Sequence, residues 1–284
     1  DTYLPDTTSY DYGAPLDECG DITRKYLLMR ECLKKYTDIP NLELPKASLK
    51  MKYDTVKCNG AVGLFDSLDS ISNKIESPCP YNMERLGQGY GYILYRTRVT
   101  GPRSKQHLAL QDVHDRASVF GNGKLLGTVD RNCNEQLLLD VPKEGILLDV
   151  LVENLGRINY GTKLKDLKGI TEGISLERQF LFNYDIYRLP MNHLDKLVFS
   201  TAKLYENPAF YRFEFVVKEC MDTYIDMSQW KKGFVTVNGF NVGRYWDIGP
   251  QTNLFIPASL LKKGTNNVIV FEENHPCENL TFSV

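Results

Sequence analysis

Trp230-Lys-Lys-Gly-Phe-Val-Thr-Val-Asn-Gly-Phe-Asn-Val-Gly-Arg-Tyr-Trp-Asp-Ile-Gly-Pro250, continued by Gln251-Thr-Asn-Leu-Phe-Ile-Pro257, decides the fold class. Phe234-Val-Thr-Val237 is rich in β-branched residues and reads as a strand. Asn238-Gly239 follows. Both residues accept positive φ, so the pair predicts a tight hairpin turn. Phe240 to Tyr245 is the return strand, with Gly243 marking a bulge or a close backbone approach. Gly249-Pro250 interrupts it, and Leu254-Phe-Ile256 begins a third strand before Pro257. The hairpin ends on Arg244, Tyr245 and Trp246.

The same cadence extends towards the amino terminus. Short β-like runs cover Tyr90–Val99, Leu108–Val113, Ala117–Phe120, Leu125–Val129, Gln136–Val141, Ile146–Glu153 and Gly173–Leu189, many separated by Gly or Pro. That spacing argues for a sandwich or jelly roll. Tyr95-Arg96, Asn122-Gly123 and Gly127 recur 116 positions on as Tyr211-Arg212, Asn238-Gly239 and Gly243. Val150-Leu-Val-Glu-Asn154 recurs loosely as Val268 to Asn274. Two copies of one sandwich are the simplest account. Residues 41–80 are mixed: Ala47–Tyr53 alternates as a strand does, and Gly60–Leu68 reads as a strand or a loop. Near the start, apolar Tyr26, Met29, Leu33 and Tyr36 keep helical spacing, with Asp21 as the expected N-cap and Ile39-Pro40 as the stop.

Length and composition set bounds. The chain has 284 residues, 42% hydrophobic and 25% charged, with a net charge of −2. Two domains or one large one fit that length. The charge makes no case for nucleic acid or an anionic membrane as partner. No apolar run approaches the roughly 18 residues of a membrane span. The chain begins Asp-Thr-Tyr-Leu-Pro, with neither an initiator Met nor a signal peptide, so it reads as a segment of a longer polypeptide. Seven cysteines, none in Cys-x-x-Cys spacing, favour free thiols in a reducing, cytoplasmic compartment over a secreted or lysosomal one. The sequon Asn279-Leu-Thr281 bears on the question only if the protein is secreted.

Three motifs resemble glycoside hydrolase family 35, the exo-acting β-galactosidases. Val237 to Trp246, Gly249 to Gln251 and Leu254 to Pro257 resemble the family's last β-domain. Thr8-Ser-Tyr-Asp-Tyr-Gly-Ala-Pro-Leu16, with Glu18 and Gly20, resembles the signature joining its final barrel strand to its final barrel helix; Gly13 stands where Asp is usual. Asn154-Leu-Gly-Arg-Ile-Asn-Tyr-Gly161 resembles a third family motif. The resemblance implies a mainly β chain of two jelly-roll-like, galactose-binding-domain-like β-sandwiches, preceded by one helix left from a TIM barrel. It places that terminal barrel segment at 1–40. The first sandwich falls at 80–190. The second falls at 198–284, completed by strand material from 45–66.

The resemblance also implies a function. The chain would be the non-catalytic carboxyl-terminal part of a retaining enzyme that hydrolyses terminal non-reducing β-D-galactosides. Its partner would be the upstream barrel, and self-association is open to the isolated chain. A retaining glycosidase needs two carboxyls about 5–5.5 Å apart. In this family both are glutamates upstream of the signature at Thr8, so this chain alone is expected to be inactive. The residues themselves offer no substitute. Glu272-Glu273 alternate on a strand, and Asp17-Glu18 are adjacent. His114-Asp115-Arg116 lacks a placed serine, and His107, His114, His193 and His275 show no metal-ligand spacing. Gly87-Gln-Gly-Tyr-Gly91 leads into a strand and is no phosphate loop. The reading therefore assigns no catalytic residue, no metal and no cofactor, with a Ca²⁺ on loop carbonyls left open.

By resemblance Tyr12 contacts galactose in the intact parent. Arg244, Tyr245, Trp246 and Tyr160 are candidate sugar-binding residues, since aromatic faces beside polar groups suit sugars. The competing role for them is burial against a neighbouring domain. The alternative function is a stand-alone carbohydrate-binding protein using its sandwich loops. A third is an interaction module without sugar affinity.

Overall fold

A computed structural model describes residues 13–131, 137–249 and 252–284. They divide into two compact units, residues 64–198 and residues 13–63 with 199–284. The second unit begins with helix α1 (Arg24–Leu33), strand β1 (Val56–Lys57) and strand β2 (Gly60–Gly63). Thr23, not Asp21, occupies the N-cap position of α1. The Asp21 carboxylate instead accepts from Ser48 N at 2.7 Å and pairs with Lys50 Nζ at 2.5 Å. None of the α1 residues is buried, and Leu27, Leu28, Met29 and Leu33 are exposed.

The unit 64–198 opens with helix α2 (Leu64–Ile71). Here the reading of 60–68 as strand or loop needs correction: 60–63 is β2, and the chain then turns helical. Leu64, Leu68 and Ile71 have helical spacing and are buried, but eight residues are too few to show a period beside a strand. Strands β3 (Lys74–Ser77), β4 (Tyr92–Val99), β5 (Arg103–His114), β6 (Arg116–Gly121), β7 (Lys124–Asp130), β8 (Leu137–Val141), β9 (Ile146–Glu153), β10 (Gly169–Leu176), β11 (Gln179–Phe180) and β12 (Tyr184–Leu189) follow. They form a six-stranded sheet, β3-β12-β4-β9-β6-β7, and a four-stranded sheet, β11-β10-β5-β8. Ile93, Tyr95 and Val99 of β4 alternate into a core that also takes Val119, Val150 and Ile186 from the larger sheet and Leu108, Leu139 and Ile174 from the smaller. This is a β-sandwich.

The other unit continues with β13 (Ala209–Val217), β14 (Thr223–Asp226), β15 (Lys232–Val237), β16 (Phe240–Trp246), β17 (Asn253–Ile256), β18 (Gly264–Glu272) and β19 (Asn279–Ser283). Its sheets run β16-β15-β18-β13-β2 and β1-β19-β14-β17. Tyr211, Phe213, Phe215 and Val217 alternate inward on β13, and Tyr211, Phe213 and Tyr245 set their rings edge-on around Trp230. The expected strand at Ala47–Tyr53 is not a strand: Lys50 makes one parallel bridge to Asp222. The alternation there comes from Met51 and Tyr53 packing on the core without a ladder.

The repeat seen in the sequence is a repeat of register. In β6–β7, Val119 faces Gly127 and the next pair is Phe120 with Leu125; in β15–β16, Val235 faces Gly243 and the next pair is Thr236 with Asn241. Each return strand therefore carries one extra residue, a β-bulge, at the same place. Each turn uses Asn-Gly with both φ positive: 49° and 77° at Asn122-Gly123, 50° and 86° at Asn238-Gly239. Each asparagine ties the turn to the strand beside the one that precedes it, accepting from Leu147 N of β9 at 2.8 Å in one unit and from Asn267 N of β18 at 3.0 Å in the other.

The Asp21–Lys50 contact carries a pH signature. Hydrogen bonds from Lys50 and then Ser48 lower the Asp21 carboxyl to about 2. A carboxyl depressed in the folded state stabilises it above the ordinary range near 4 and loses that contribution as pH falls towards the folded value. Asp21→Asn is expected to flatten the fall in urea midpoint between pH 4 and 2, and an unchanged acid limb would contradict this.

Candidate functional site

β9 ends at Glu153 and β10 begins at Gly169, so the Asn154–Gly161 motif lies in the loop between them. Both ends of that loop are pinned. Asn154 Nδ2 and Arg157 Nε both donate to Gly89 O, at 3.1 and 2.9 Å. Arg157 also pairs with Glu84, which accepts from Lys168 N at 3.0 Å. Leu155 N donates to Asp115 Oδ2 at 2.8 Å.

Beneath the loop lies a buried ionic cluster. Lys168 Nζ is 2.8 Å from Asp115 and 2.9 Å from Asp166, and neither Lys168 nor Asp115 exposes any side-chain surface (0% each). Arg131 is 2.8 Å from both aspartates. Two carboxylates therefore share two cations, so the charges balance. His114 closes the cluster, with Nδ1 against Leu167 O at 2.5 Å and 3.5 Å from Asp166. Burial alone raises the Asp166 pKa, but hydrogen bonds from Arg131 and Lys168 outweigh it and hold the carboxyl well below the ordinary range. On this frame Tyr160 is 89% exposed. An exposed phenol on an anchored loop is a stacking and hydrogen-bonding group presented outward.

The hairpin end of the other unit behaves differently. Arg244, Tyr245 and Trp246 do not form one platform, because neighbours on a strand point to opposite faces. Tyr245 is only 2% exposed. Its hydroxyl lies 2.8 Å from Phe271 O and 3.0 Å from Glu272 Oε2, and burial with that carboxylate pushes the phenol well above its ordinary pKa. The candidate sugar contact at Tyr245 is therefore corrected to a core residue. Trp246 is half-buried, with Lys232 Nζ 4.8 Å from its ring centroid and that lysine paired to Glu273 at 2.7 Å. Arg244 is also half-buried. Tyr12 lies outside the described residues.

Neighbouring carboxylates are committed elsewhere. Asp115 is buried and Asp166 half-buried, and both are ion-paired. Asp17 and Asp21 come close beside Cys19, but Asp17 accepts from Cys19 N and Asp21 N, and Asp21 holds Lys50. Glu272 accepts from the backbone N–H groups of Lys231, Lys232, Asn274 and His275, while Glu273 holds Lys232. The sequence reading marked His114-Asp115-Arg116 only as a triad fragment without a serine; its pairing with Lys168 left no trace, because Asp115 and Lys168 stand 53 positions apart.

Three family models match in order along the chain: "Glycosyl hydrolases family 35" at residues 1–36, "Beta-galactosidase, first all-beta domain" at 80–190 and "Beta-galactosidase, galactose-binding domain" at 208–266. The chain belongs to glycosyl hydrolase family 35. The beta-galactosidase of Xanthomonas manihotis is 41% identical over 261 residues, covering 91% of this chain and 43% of that relative. The Bos taurus beta-galactosidase is 35% identical, covering 98% and 47%, and the Homo sapiens beta-galactosidase is 34% identical, covering 98% and 45%. This family 35 chain thus spans about half the length of the curated relatives it matches, and the two beta-galactosidase domain models fall on its two β-rich stretches.

The ionic cluster makes a direct prediction. Removing one partner from a buried charge set leaves the rest unpaired, so Lys168→Met is expected to cost about 3–5 kcal/mol. Tyr160→Ala is expected to stay within about 0.5 kcal/mol of wild type. Urea unfolding of the two variants checks both values; equal destabilisation would mean that the loop is not carried by the cluster.

Proposed function

We propose that this chain is the non-catalytic β-domain portion of a retaining β-galactosidase that releases terminal non-reducing β-D-galactose. It braces a (β/α)₈ barrel and shapes the rim of that barrel's galactoside site. The commitment of Asp115 and Asp166 to Lys168 and Arg131 carries this reading. Retaining hydrolysis needs one ionised nucleophile and one carboxyl able to give up a proton. A carboxylate paired at neutral pH with buried Lys168 and half-buried Arg131 is no proton donor.

Two further observations support the bracing role. α1 leaves Leu27, Leu28, Met29 and Leu33 in solvent, and a ten-residue helix is marginal without a surface to pack on. The segment ahead of α1 is also tied to its own sandwich, through Asp21–Lys50 and through Cys19 Sγ, 2.9 Å from Tyr224 Oη on β14. A barrel held by α1 is thereby held to the sandwich. The same apolar face would drive self-association of the isolated chain. Tyr160, and Tyr12 in the parent, are the residues assigned to the substrate rim.

The chain alone is expected to give no turnover of a nitrophenyl β-D-galactoside. In the longer polypeptide, Tyr160→Ala is expected to lower kcat/KM about tenfold without a change in Tm, a loss of about 1.4 kcal/mol in transition-state binding. Turnover that co-purifies with the isolated chain through successive columns would overturn the proposal.

A further inference from the structure

One carboxylate ties both limbs of the loop that carries Tyr160. Glu84 accepts at Oε1 from the Arg157 guanidinium on the outgoing limb, and at Oε2 from Lys168 N on the returning limb, 3.0 Å away. Its own place is fixed. Met83, the residue before it, is fully buried in the sandwich core and donates its N–H to Lys168 O at 2.8 Å. The turn that follows is closed by Leu86 N and Gln88 N, which donate to Met83 O at 3.1 and 2.8 Å. Arg85 N adds a bond to Asn82 Oδ1 at 2.9 Å. Glu84 therefore projects from a rigid turn, and backbone and side chain together hold Lys168 from both sides of its peptide unit.

This clasp contributes little to the stability of the sandwich. The Arg157 and Glu84 side chains are 41% and 29% exposed. Ion pairs that open to water are screened and add little to folding. The buried cluster of Asp115, Arg131, Asp166 and Lys168 already fixes the returning limb. What Glu84 adds is the outgoing limb. Arg157 donates from Nε to Gly89 O at 2.9 Å and from Nη1 to Glu84, and a planar guanidinium bonded in two directions leaves its stem little freedom. Tyr160 follows in the same loop and is 89% exposed, so its own packing does not hold it. The place of its ring is set by where the limbs are tied.

We propose that Glu84 is a positioning residue for the galactoside rim: by clasping both limbs of the loop it sets where Tyr160 meets the sugar. The proposal rests on the assignment of Tyr160 to that rim. A tyrosine on a loose loop must be ordered each time substrate binds, which weakens binding; a loop already tied avoids that loss. Glu84 itself touches no substrate and acts through Tyr160. Its effect therefore falls on substrate binding and not on the chemical step.

The test uses Glu84→Gln. The amide oxygen still accepts from Lys168 N, but it has lost the charge that holds Arg157. In the longer polypeptide, KM for a nitrophenyl β-D-galactoside is expected to rise about threefold, with kcat and Tm unchanged. Added to Tyr160→Ala, Glu84→Gln is expected to raise KM no further, because the clasp then has no ring to place. In the chain itself, the NMR order parameter of the Tyr160 amide is expected to fall while those of β9 and β10 stay as in wild type. The proposal alone is overturned if Tyr160→Ala lowers kcat/KM but Glu84→Gln leaves KM unchanged. It is also overturned if Glu84→Gln lowers kcat or Tm, if the two substitutions add, or if the order parameter does not move. If Tyr160→Ala has no effect on kcat/KM, the rim assignment falls and takes the positioning role with it.

Discussion

Two aspartates sharing one lysine and one arginine, with almost no access to water, constrain the rest of the first sandwich. Asp115 lies between β5 and β6, Arg131 follows β7, and Asp166 and Lys168 lead into β10. A buried ion set of this kind adds little net stability over an apolar packing, but it penalises misplacement heavily. Its geometric effect is to fix where the loop from 154 to 168 begins and ends. Its chemical effect is to spend carboxylates that would otherwise look like a hydrolytic pair. The inertness proposed for the chain rests in part on the same four charges.

The second constraint is the repeated hairpin. Asn-Gly turns twist the strand pair in the right sense, and a bulge that leaves Leu126 or Val242 unpaired in the ladder re-aims the return strand. In the second sandwich this re-aiming buries Tyr245 beside Trp230 and leaves Arg244 and Trp246 on the other face. The duplicated register gives two sandwiches of one plan, yet their chemistry diverges. The place of Arg116 in one copy is taken by Lys232 in the other, where it is paired with Glu273 under Trp246.

Local signals were legible in the chain. Asn238-Gly239, the β-branched run before it and Gly243 foretold a bulged hairpin, and the offset of 116 positions foretold its twin. Signals that depend on what a residue faces were not. Met51 and Tyr53 alternate like a strand but only pack on the core, and α2 is too short to announce its period. At the site, Tyr160 could be marked from its motif, whereas Tyr245 could not be told from a surface aromatic without the neighbours that cover it. Lys168 and Asp115 meet across 53 positions, a pairing with no linear signature.

The account stands on the claim that no carboxylate of this chain attacks a glycosidic bond. A retaining enzyme passes through a covalent glycosyl intermediate on its nucleophile, and a slowly released fluorinated galactoside traps it there. Mass spectrometry of the labelled, digested full-length enzyme reads the attachment site directly. The account predicts that every peptide from Asp1 to Val284 is unmodified while the label sits elsewhere. A galactosyl adduct on Asp115, Asp166 or any other carboxylate of these residues would contradict it.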